Sequence, residues 1–221
     1  MTLPGPLAKQ PVGREPLSRA TIEEHQRERI LGAATGVFAK RGYQQTTVDD
    51  IVAAAKTSVG SFYGQFKGKQ DCFLQCYDRV VSEAGREIEA SLPDDAGWAE
   101  RTCAALDMIL RMLEDEPMAA RVVLVEAQTA GPEALVRYEQ SIDSLLPALR
   151  KGRSLASAGE ELPVSLEEAA VAGTAWVLHE RLVSGRAKGS RALLPELAAI
   201  VIGPYLGEVE ARRLARSHTA A

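Results

Sequence analysis

The residues best suited to recognition chemistry lie close together between positions 47 and 69. Hydroxyl groups, small residues, a phenol and lysines alternate there with apolar residues at helical spacing. The small side chains from Ser58 to Ser61 let a helix backbone approach a ligand closely, while Tyr63 and Lys69 offer donors to an anion. This combination favours contact with the phosphates and base edges of duplex DNA.

Patterns for catalysis and for metal binding are missing from the sequence. It contains three histidines, His25, His179 and His218, and no nucleophile motif or phosphate-binding loop. Cys72 and Cys76 are four residues apart, but two soft ligands without a nearby histidine favour ordinary packing. The sequence therefore predicts a protein that is not an enzyme and that holds no metal or cofactor.

The composition is that of an ordinary globular protein. Of the 221 residues, 46% are hydrophobic and 25% are charged, which excludes a disordered or a fibrous chain. No apolar stretch is long enough to span a bilayer, the first thirty residues contain no signal-peptide core, and three cysteines give no pairing pattern. We expect a cytoplasmic protein without membrane segments or disulfides.

The charges are distributed unevenly along the chain. Residues 1–80 contain 11 Lys and Arg against 8 Asp and Glu, whereas the remaining residues are net acidic, so that the whole chain has a net charge of -4. Seven of the eleven aromatic residues also lie between positions 38 and 77. Both features indicate a compact N-terminal domain with a function of its own.

Apolar residues recur at helical spacing along the whole chain and predict an all-α fold. Thr47 with Asp50, and Ser58, have the pattern of helix N-caps, so two short helices meet through the turn Ala55–Ser58, as in a helix-turn-helix. Pro and basic residues indicate a flexible arm over residues 1–20. The nine predicted helices cover residues 22–41, 47–55, 58–66, 69–91, 98–115, 117–130, 133–151, 165–185 and 191–206.

Four segments together resemble the DNA-binding domain of the TetR family of bacterial transcriptional regulators. They are the run Arg29–Tyr43, Thr47-Val-Asp-Asp-Ile51, Ser58-Val-Gly-Ser-Phe-Tyr63 and Phe66-Lys-Gly-Lys69, within residues 25–75. The C-terminal stretch 194–213 is similar to the family's C-terminal ends, but it is less diagnostic. The resemblance implies a helix-turn-helix head over residues 21–68, a ligand-binding and dimerisation domain over 69–207, and a C-terminal tail over 208–221.

The resemblance also implies contacts for individual residues. Thr47, Tyr63 and Lys69 would bind phosphates, and Gly60 would allow close approach to DNA. Two positions depart from the family: Lys56 and Thr57 stand in the turn where Gly and a small aliphatic residue are usual. Lys56 is either tolerated there at positive φ or is itself a DNA contact. The predicted DNA contacts are Thr47, Lys56, Thr57, Ser58, Val59, Gly60, Ser61, Tyr63 and Lys69.

Apolar residues of the second domain could line a pocket for a small, largely apolar effector. The stripe that contains the methionines is equally compatible with plain core packing. The candidate pocket residues are Trp98, Cys103, Leu106, Met112, Leu124 and Trp176.

A second copy of the chain is predicted from the helix around residues 169–178. Only Thr174 is polar in that run, and a helix that is apolar on all sides must be covered on all sides. A two-fold partner would cover it and would place two heads against a palindrome. The predicted interface residues are Ala172, Trp176, His179, Leu197 and Val201.

The sequence therefore predicts a homodimeric regulator, a repressor, that binds a palindromic double-stranded DNA operator and is released by a small molecule. One alternative is a helical adaptor whose N-terminal helices bind protein, which the modest positive charge of the first 80 residues favours. Another is a small-molecule-binding protein that does not bind DNA.

Overall fold

The computed structural model describes residues 19–156 and 161–220, and all regular secondary structure in these ranges is helical. This confirms the predicted all-α class. None of the described helices is both long and apolar enough to cross a bilayer. Short 3-10 turns cover Glu126–Gln128, Lys151–Leu155 and Ser190–Leu193. The α-helices are α1 (Arg19–Arg41), α2 (Val48–Ala54), α3 (Val59–Tyr63), α4 (Lys69–Ala90), α5 (Trp98–Asp115), α6 (Pro117–Leu124), α7 (Pro132–Asp143), α8 (Leu146–Arg150), α9 (Leu166–Val183), α10 (Leu194–Val201), α11 (Gly203–Leu206) and α12 (Glu208–Ala220).

Prolines divide two of the predicted helices. The predicted helix 133–151 is observed as α7 and α8, and Pro147 lies in the first turn of α8. The predicted helix 191–206 is observed as a 3-10 turn, α10 and α11, with Pro195 and Pro204 in the first turns of the latter two. Proline has no backbone N–H and is tolerated where a helix begins, so each of these prolines starts a new segment.

The two ends of the chain differ from the sequence-based prediction. Residues 208–221 are predicted to be a tail, but Glu208–Ala220 forms α12, which packs against α5, α10 and α11. Ala211 and Ala215 are fully buried in α12. Two alanines in a segment rich in charged residues are a weak signal for a packed helix. At the N-terminus, α1 begins two residues inside the predicted arm, and arm residues 1–18 lie outside the described residues.

The head, α1 to α3, is built around aromatic side chains. Phe38 of α1 and Phe62 of α3 are fully buried, and Phe62 lies 5.2 Å from Phe66 between ring centroids. Phe73 of α4 packs edge-on against Phe38 at 5.1 Å. Because α4 supplies a ring to the core of the head, the head shares its core with the first helix of the body, which comprises α4 to α12.

A buried carboxylate joins three segments of the body. Glu167 near the start of α9 is 0% exposed and accepts two hydrogen bonds from Arg153, Nε to Oε1 at 2.7 Å and Nη2 to Oε2 at 2.8 Å. Tyr205 of α11 donates its hydroxyl to Oε1 at 2.8 Å. The Arg153 guanidinium, with the Tyr205 hydroxyl, lowers the pKa of Glu167 to about 2. This cluster ties the 151–155 turn to α9 and α11.

Candidate nucleic-acid interface

Hydroxyl side chains begin both short helices of the head. Thr47 Oγ1 accepts a hydrogen bond from Asp50 N at 3.2 Å, and Thr47 N donates to Asp50 Oδ2 at 2.9 Å. Ser58 Oγ accepts from Ser61 N at 3.0 Å. These are the capping bonds that the sequence predicts. The Thr47 hydroxyl also donates to Asp50 Oδ2 at 2.8 Å, so its proton is already engaged within the protein.

The turn between α2 and α3 places Lys56 in the left-handed region. Its φ is +50°, and among the described residues other than glycine no other has a positive φ. Lys56 N donates to Ala53 O at 3.2 Å and Thr57 N donates to Val52 O at 3.0 Å, the two bonds of a Schellman C-cap. Glycine is usual at this position because a Cβ is strained there. The Lys56 side chain is exposed, so a cation stands at the surface beside α3.

We expect the substitution Lys56→Gly to raise the free energy of unfolding by about 1 kcal/mol, because glycine adopts this φ without steric cost. Urea unfolding followed by circular dichroism measures the change. Arg29→Gly, at an exposed position in the middle of α1, is the control and should instead lose about 1 kcal/mol. Equal destabilisation by both substitutions would contradict the strain at Lys56.

One face of α3 is open to solvent. Val59 is 43% exposed and Tyr63 is 57% exposed, whereas Phe62 between them is fully buried. Gly60 is exposed, and a Cβ built on it would lie 3.8 Å from Ser58 Oγ, an ordinary contact distance. Nothing in the described part of the chain therefore requires glycine at position 60. The predicted contacts Ser58, Val59, Gly60 and Tyr63 form this exposed face, and the half-buried Ser61 adjoins it.

Two other predicted contacts are partly engaged within the protein. Thr57 is half-buried, and its Oγ1 accepts a long hydrogen bond from Gln26 Nε2 at 3.4 Å. The Lys69 ammonium donates to Tyr43 O at 3.0 Å and lies 4.3 Å from the centroid of the Tyr43 ring. Lys69 thus binds the turn between α1 and α2, and it reaches a phosphate only with its remaining donors. The DNA contacts as a set remain predictions.

The predicted pocket residues do not surround a single cavity. Cys103, Leu106 and Leu124 are buried in the common core of the body. Trp98 is packed: its Nε1 donates to Ala148 O at 2.8 Å and its ring lies against Tyr205 at 5.0 Å. A cleft of about 110 Å³ between α4 and α5 is lined by Met112, with Met108 and Val80 among its other residues. Trp176 is 66% exposed on the outer face of α9, which argues against its predicted place in a pocket.

The predicted dimer residues fall into two groups. Ala172 and Trp176 are exposed and His179 is half-buried on one stripe of α9, and Val183 continues the stripe at 52% exposure. The prediction is wrong for Leu197 and Val201, which are 3% and 5% exposed and belong to the protomer's own core. The reason is α12, which covers α10 although its residues were expected to form a tail.

The cysteines are packing residues in the part of the chain that the structure describes. Cys72 and Cys76 are fully buried free thiols, and Cys76 Sγ donates to Leu31 O at 3.5 Å. Burial raises the pKa of Cys103 to about 11, so that this thiol stays protonated. Within residues 19–156 and 161–220, no three His, Cys, Asp or Glu side chains are grouped as metal ligands would be.

The N-terminal part of the chain matches a family of known proteins. Residues 30–76 match the family model described as bacterial regulatory proteins, tetR family. The HTH-type transcriptional repressor DhaR of Mycobacterium sp. (strain GP1) is 35% identical over 78 residues. This match covers 35% of the chain and 37% of DhaR, so the chain spans little more than a third of that relative.

Solved structures resemble the chain over most of its length. The fatty acid degradation regulator FadR from Bacillus halodurans superposes with a TM-score of 0.70 at 19% identity, covering 80% of this chain and 97% of that one. FadR from Bacillus subtilis in complex with stearoyl-CoA gives a TM-score of 0.68 at 21% identity, covering 80% and 98%. At these identities the likeness establishes the fold of head and body together.

Proposed function

We propose that the chain is a DNA-binding transcriptional regulator of the TetR family of bacterial regulatory proteins, whose family model its residues 30–76 match. In this proposal it acts as a repressor, binds a palindromic operator as a homodimer, and is released when a small molecule occupies the body. The observation that carries the proposal is the exposed face of α3, where Gly60 stands between exposed Val59 and Tyr63 although no packing requires glycine. The name of DhaR as a repressor supports the sign of regulation.

DNA binding is tested by fluorescence anisotropy with duplexes taken from the region beside the protein's own gene, at stated salt concentrations. We expect binding that weakens as salt increases, because cations displaced from phosphates are released. Replacement of Lys56 by Gly should reduce the salt slope by about 0.9 per head if this ammonium neutralises one phosphate, as we propose. Specific capture of a protein by the head, without DNA binding at low salt, would instead support the adaptor.

Dimerisation through α9 is supported by the stripe Ala172, Trp176, His179 and Val183. Trp176 is the most exposed large ring in the described chain, and the His179 ring stacks on it at 6.1 Å. His179 Nδ1 is buried without a hydrogen-bond partner among the described atoms. A second copy that covers this stripe would bury the ring and could pair the nitrogen.

We expect sedimentation equilibrium to report a dimer at micromolar concentration and Trp176→Ala to weaken it at least about tenfold, since buried Trp residues are frequent hot spots. Val164→Ala, at a site that is 90% exposed outside the stripe, is the matched control and should leave the dimer intact. A monomeric wild type would refute this part of the proposal.

The effector is proposed to be an acyl-CoA. FadR from Bacillus subtilis, which shares the fold, is bound to stearoyl-CoA in its solved structure. The α4–α5 cleft holds about 110 Å³, and pockets for ligands of drug size typically hold about 300–1,000 Å³. An effector of that size would enter the α4–α5 cleft only by displacing the side chains that line it, such as Val80 and Met108, and through them α4. Ligand and operator should then weaken each other's binding equally.

Stearoyl-CoA titrated into the protein–operator complex provides the test. We expect the apparent operator affinity to fall with added acyl-CoA and the acyl-CoA affinity to fall equally when operator is present. Coenzyme A without the acyl chain is the control. If stearoyl-CoA binds tightly and operator affinity does not change, the coupling is refuted for this ligand class.

A further inference from the structure

A hydrogen bond from the head to the body crosses 83 residues of sequence. The backbone N–H of Tyr43, in the turn between α1 and α2, donates to Glu126 Oε2 at 2.9 Å. Glu126 lies in the 3-10 turn that directly follows α6. The adjacent Gln44 Nε2 donates to Thr129 O at 2.8 Å. The turn that leads into the helix-turn-helix is therefore held by the end of a body helix.

The Glu126 side chain is buried, and each of its carboxylate oxygens has a partner. The residue is 5% exposed, and its second oxygen, Oε1, lies 3.3 Å from Arg121 Nε of α6. Gly42 beside it has a φ of +79°, and a Cβ added there would come within 3.4 Å of Glu126 Oε2. Hydrogen bonds that involve an ionised group in a buried site are the stronger ones, so this contact holds the turn firmly.

Tyr43 is also held from the side of α4. Lys69, the first residue of α4, donates to Tyr43 O, and the Tyr43 ring packs between Phe38 and Phe73 at 5.8 and 5.1 Å. The N–H of Tyr43 is thus bound by the end of α6 and its C=O by the start of α4. A shift of α6 relative to α4 pulls on one peptide segment from two directions.

We propose that Glu126 is a positioning residue that sets the orientation of the head on the body, and that it determines operator affinity without touching DNA. This rests on the proposed function as a dimeric regulator. Two heads on one dimer must match two half-sites simultaneously, so freedom of each head relative to its body lowers the effective concentration of the second head at its site. Through the same hydrogen bond, a change in the position of α6 would change the position of the head.

Arg121 extends this arrangement towards the body. Besides its contact with Glu126, Arg121 lines a cleft with Met118 of α6 and with Leu182 and Lys188 at and beyond the end of α9. A displacement of α6 in this cleft would move Arg121 together with Glu126, which lies in the turn directly after α6, and would shift the acceptor of the Tyr43 N–H. The Glu126–Tyr43 contact is the point where such a displacement reaches the head.

The variants Glu126→Ala and Glu126→Gln test the inference in the full-length protein. Asp107→Asn is the matched control, because Asp107 is also a buried carboxylate of the body, 4% exposed and paired with Arg111 and Arg191, but has no contact with the head. Three quantities are measured: affinity for the palindromic operator, affinity for a single half-site, and hydrogen exchange of the Tyr43 amide.

We expect Glu126→Ala to bind the palindrome about tenfold more weakly, because a hydrogen bond to a charged group is lost in each protomer. The salt slope and the half-site affinity should stay unchanged, and the Tyr43 amide should exchange at least about tenfold faster. Glu126→Gln, which keeps an acceptor oxygen, should fall between wild type and Glu126→Ala. Asp107→Asn should change none of the three.

Equal losses at the palindrome and the half-site would overturn the inference, since they indicate damage to the head itself. Unchanged or tighter binding to the palindrome would overturn it as well. A wild-type protein that binds no duplex would refute the proposed function itself. This result differs from those that refute the role of Glu126, so the two failures are distinguishable.

Discussion

Glu167→Gln is expected to lower the free energy of unfolding by about 1.5–3 kcal/mol, because hydrogen bonds from Arg153 and Tyr205 to a charged group are weakened. Glu167 is fully buried, and three hydrogen bonds from two side chains converge on its carboxylate. Arg153 donates in addition to the carbonyl oxygens of Leu162 and Pro163, so the loop before α9 is anchored by the same guanidinium. The loss should therefore loosen α9, α11 and this loop together.

The pH dependence has a definite sign. The folded-state pKa of Glu167, about 2, is below the ordinary value of 4.5. Its contribution is therefore complete above the ordinary value and is lost as the pH falls through about 2. We expect the difference in unfolding free energy between wild type and Glu167→Gln to be largest at neutral pH and to shrink progressively below pH 4.5.

Urea unfolding at pH 7 and at pH 3 measures both effects. Glu168→Gln is the matched control, because Glu168 is the next residue and pairs with Arg150 at 2.6 Å, but both of its side-chain partners are about half exposed. Exposed pairs contribute about 0–1 kcal/mol, so this control should change little at either pH. Equal losses of unfolding free energy in Glu167→Gln and Glu168→Gln would refute the stabilising role of the buried Glu167 carboxylate.

Gly60→Ala is expected to stabilise the free protein by up to about 1 kcal/mol, because alanine has the higher helix propensity, and yet to weaken operator binding. The added methyl group meets only Ser58 Oγ at an ordinary distance within the protein. It projects from the exposed face of α3, where the proposed DNA backbone or base edge approaches. Gly60→Glu adds a negative charge at the same point, and like-charge contact costs several kcal/mol, so affinity should fall roughly 100-fold or more.

Thermal unfolding and anisotropy on the same preparations separate the two effects. Gly85→Ala is the control, since Gly85 is an exposed residue inside α4 with no atom within 4 Å of the added Cβ. It should gain stability to a similar extent and bind the operator as the wild type does. A Gly60→Ala variant that binds the operator as tightly as wild type would contradict close approach at α3.

Local patterns predicted the head well because they act within one or two turns of chain. The capping of α2 by Thr47 and of α3 by Ser58 is visible as hydroxyl residues at the right spacing. The departure at Lys56 also proved informative, since the residue does adopt positive φ. At the start of α9, however, Ser165 and Glu168 have the spacing of a capping box, but the Ser165 side chain makes no capping bond. The acidic residue that is held by hydrogen bonds there is Glu167, and its partners are Arg153 and Tyr205.

The sequence by itself determined the helical class, the starts of α2 and α3, and the exposed face that makes DNA the proposed partner. Only the tertiary structure decided that Leu197 and Val201 are core residues, that Trp176 faces outward, and that Glu126 reaches Tyr43. Periodicity reports which side of a helix is apolar, but not which element covers that side. Here α12 packs against α10, whose Leu197 and Val201 are buried, whereas no described element covers the stripe on α9, and that difference depends on contacts between elements that only the fold brings together.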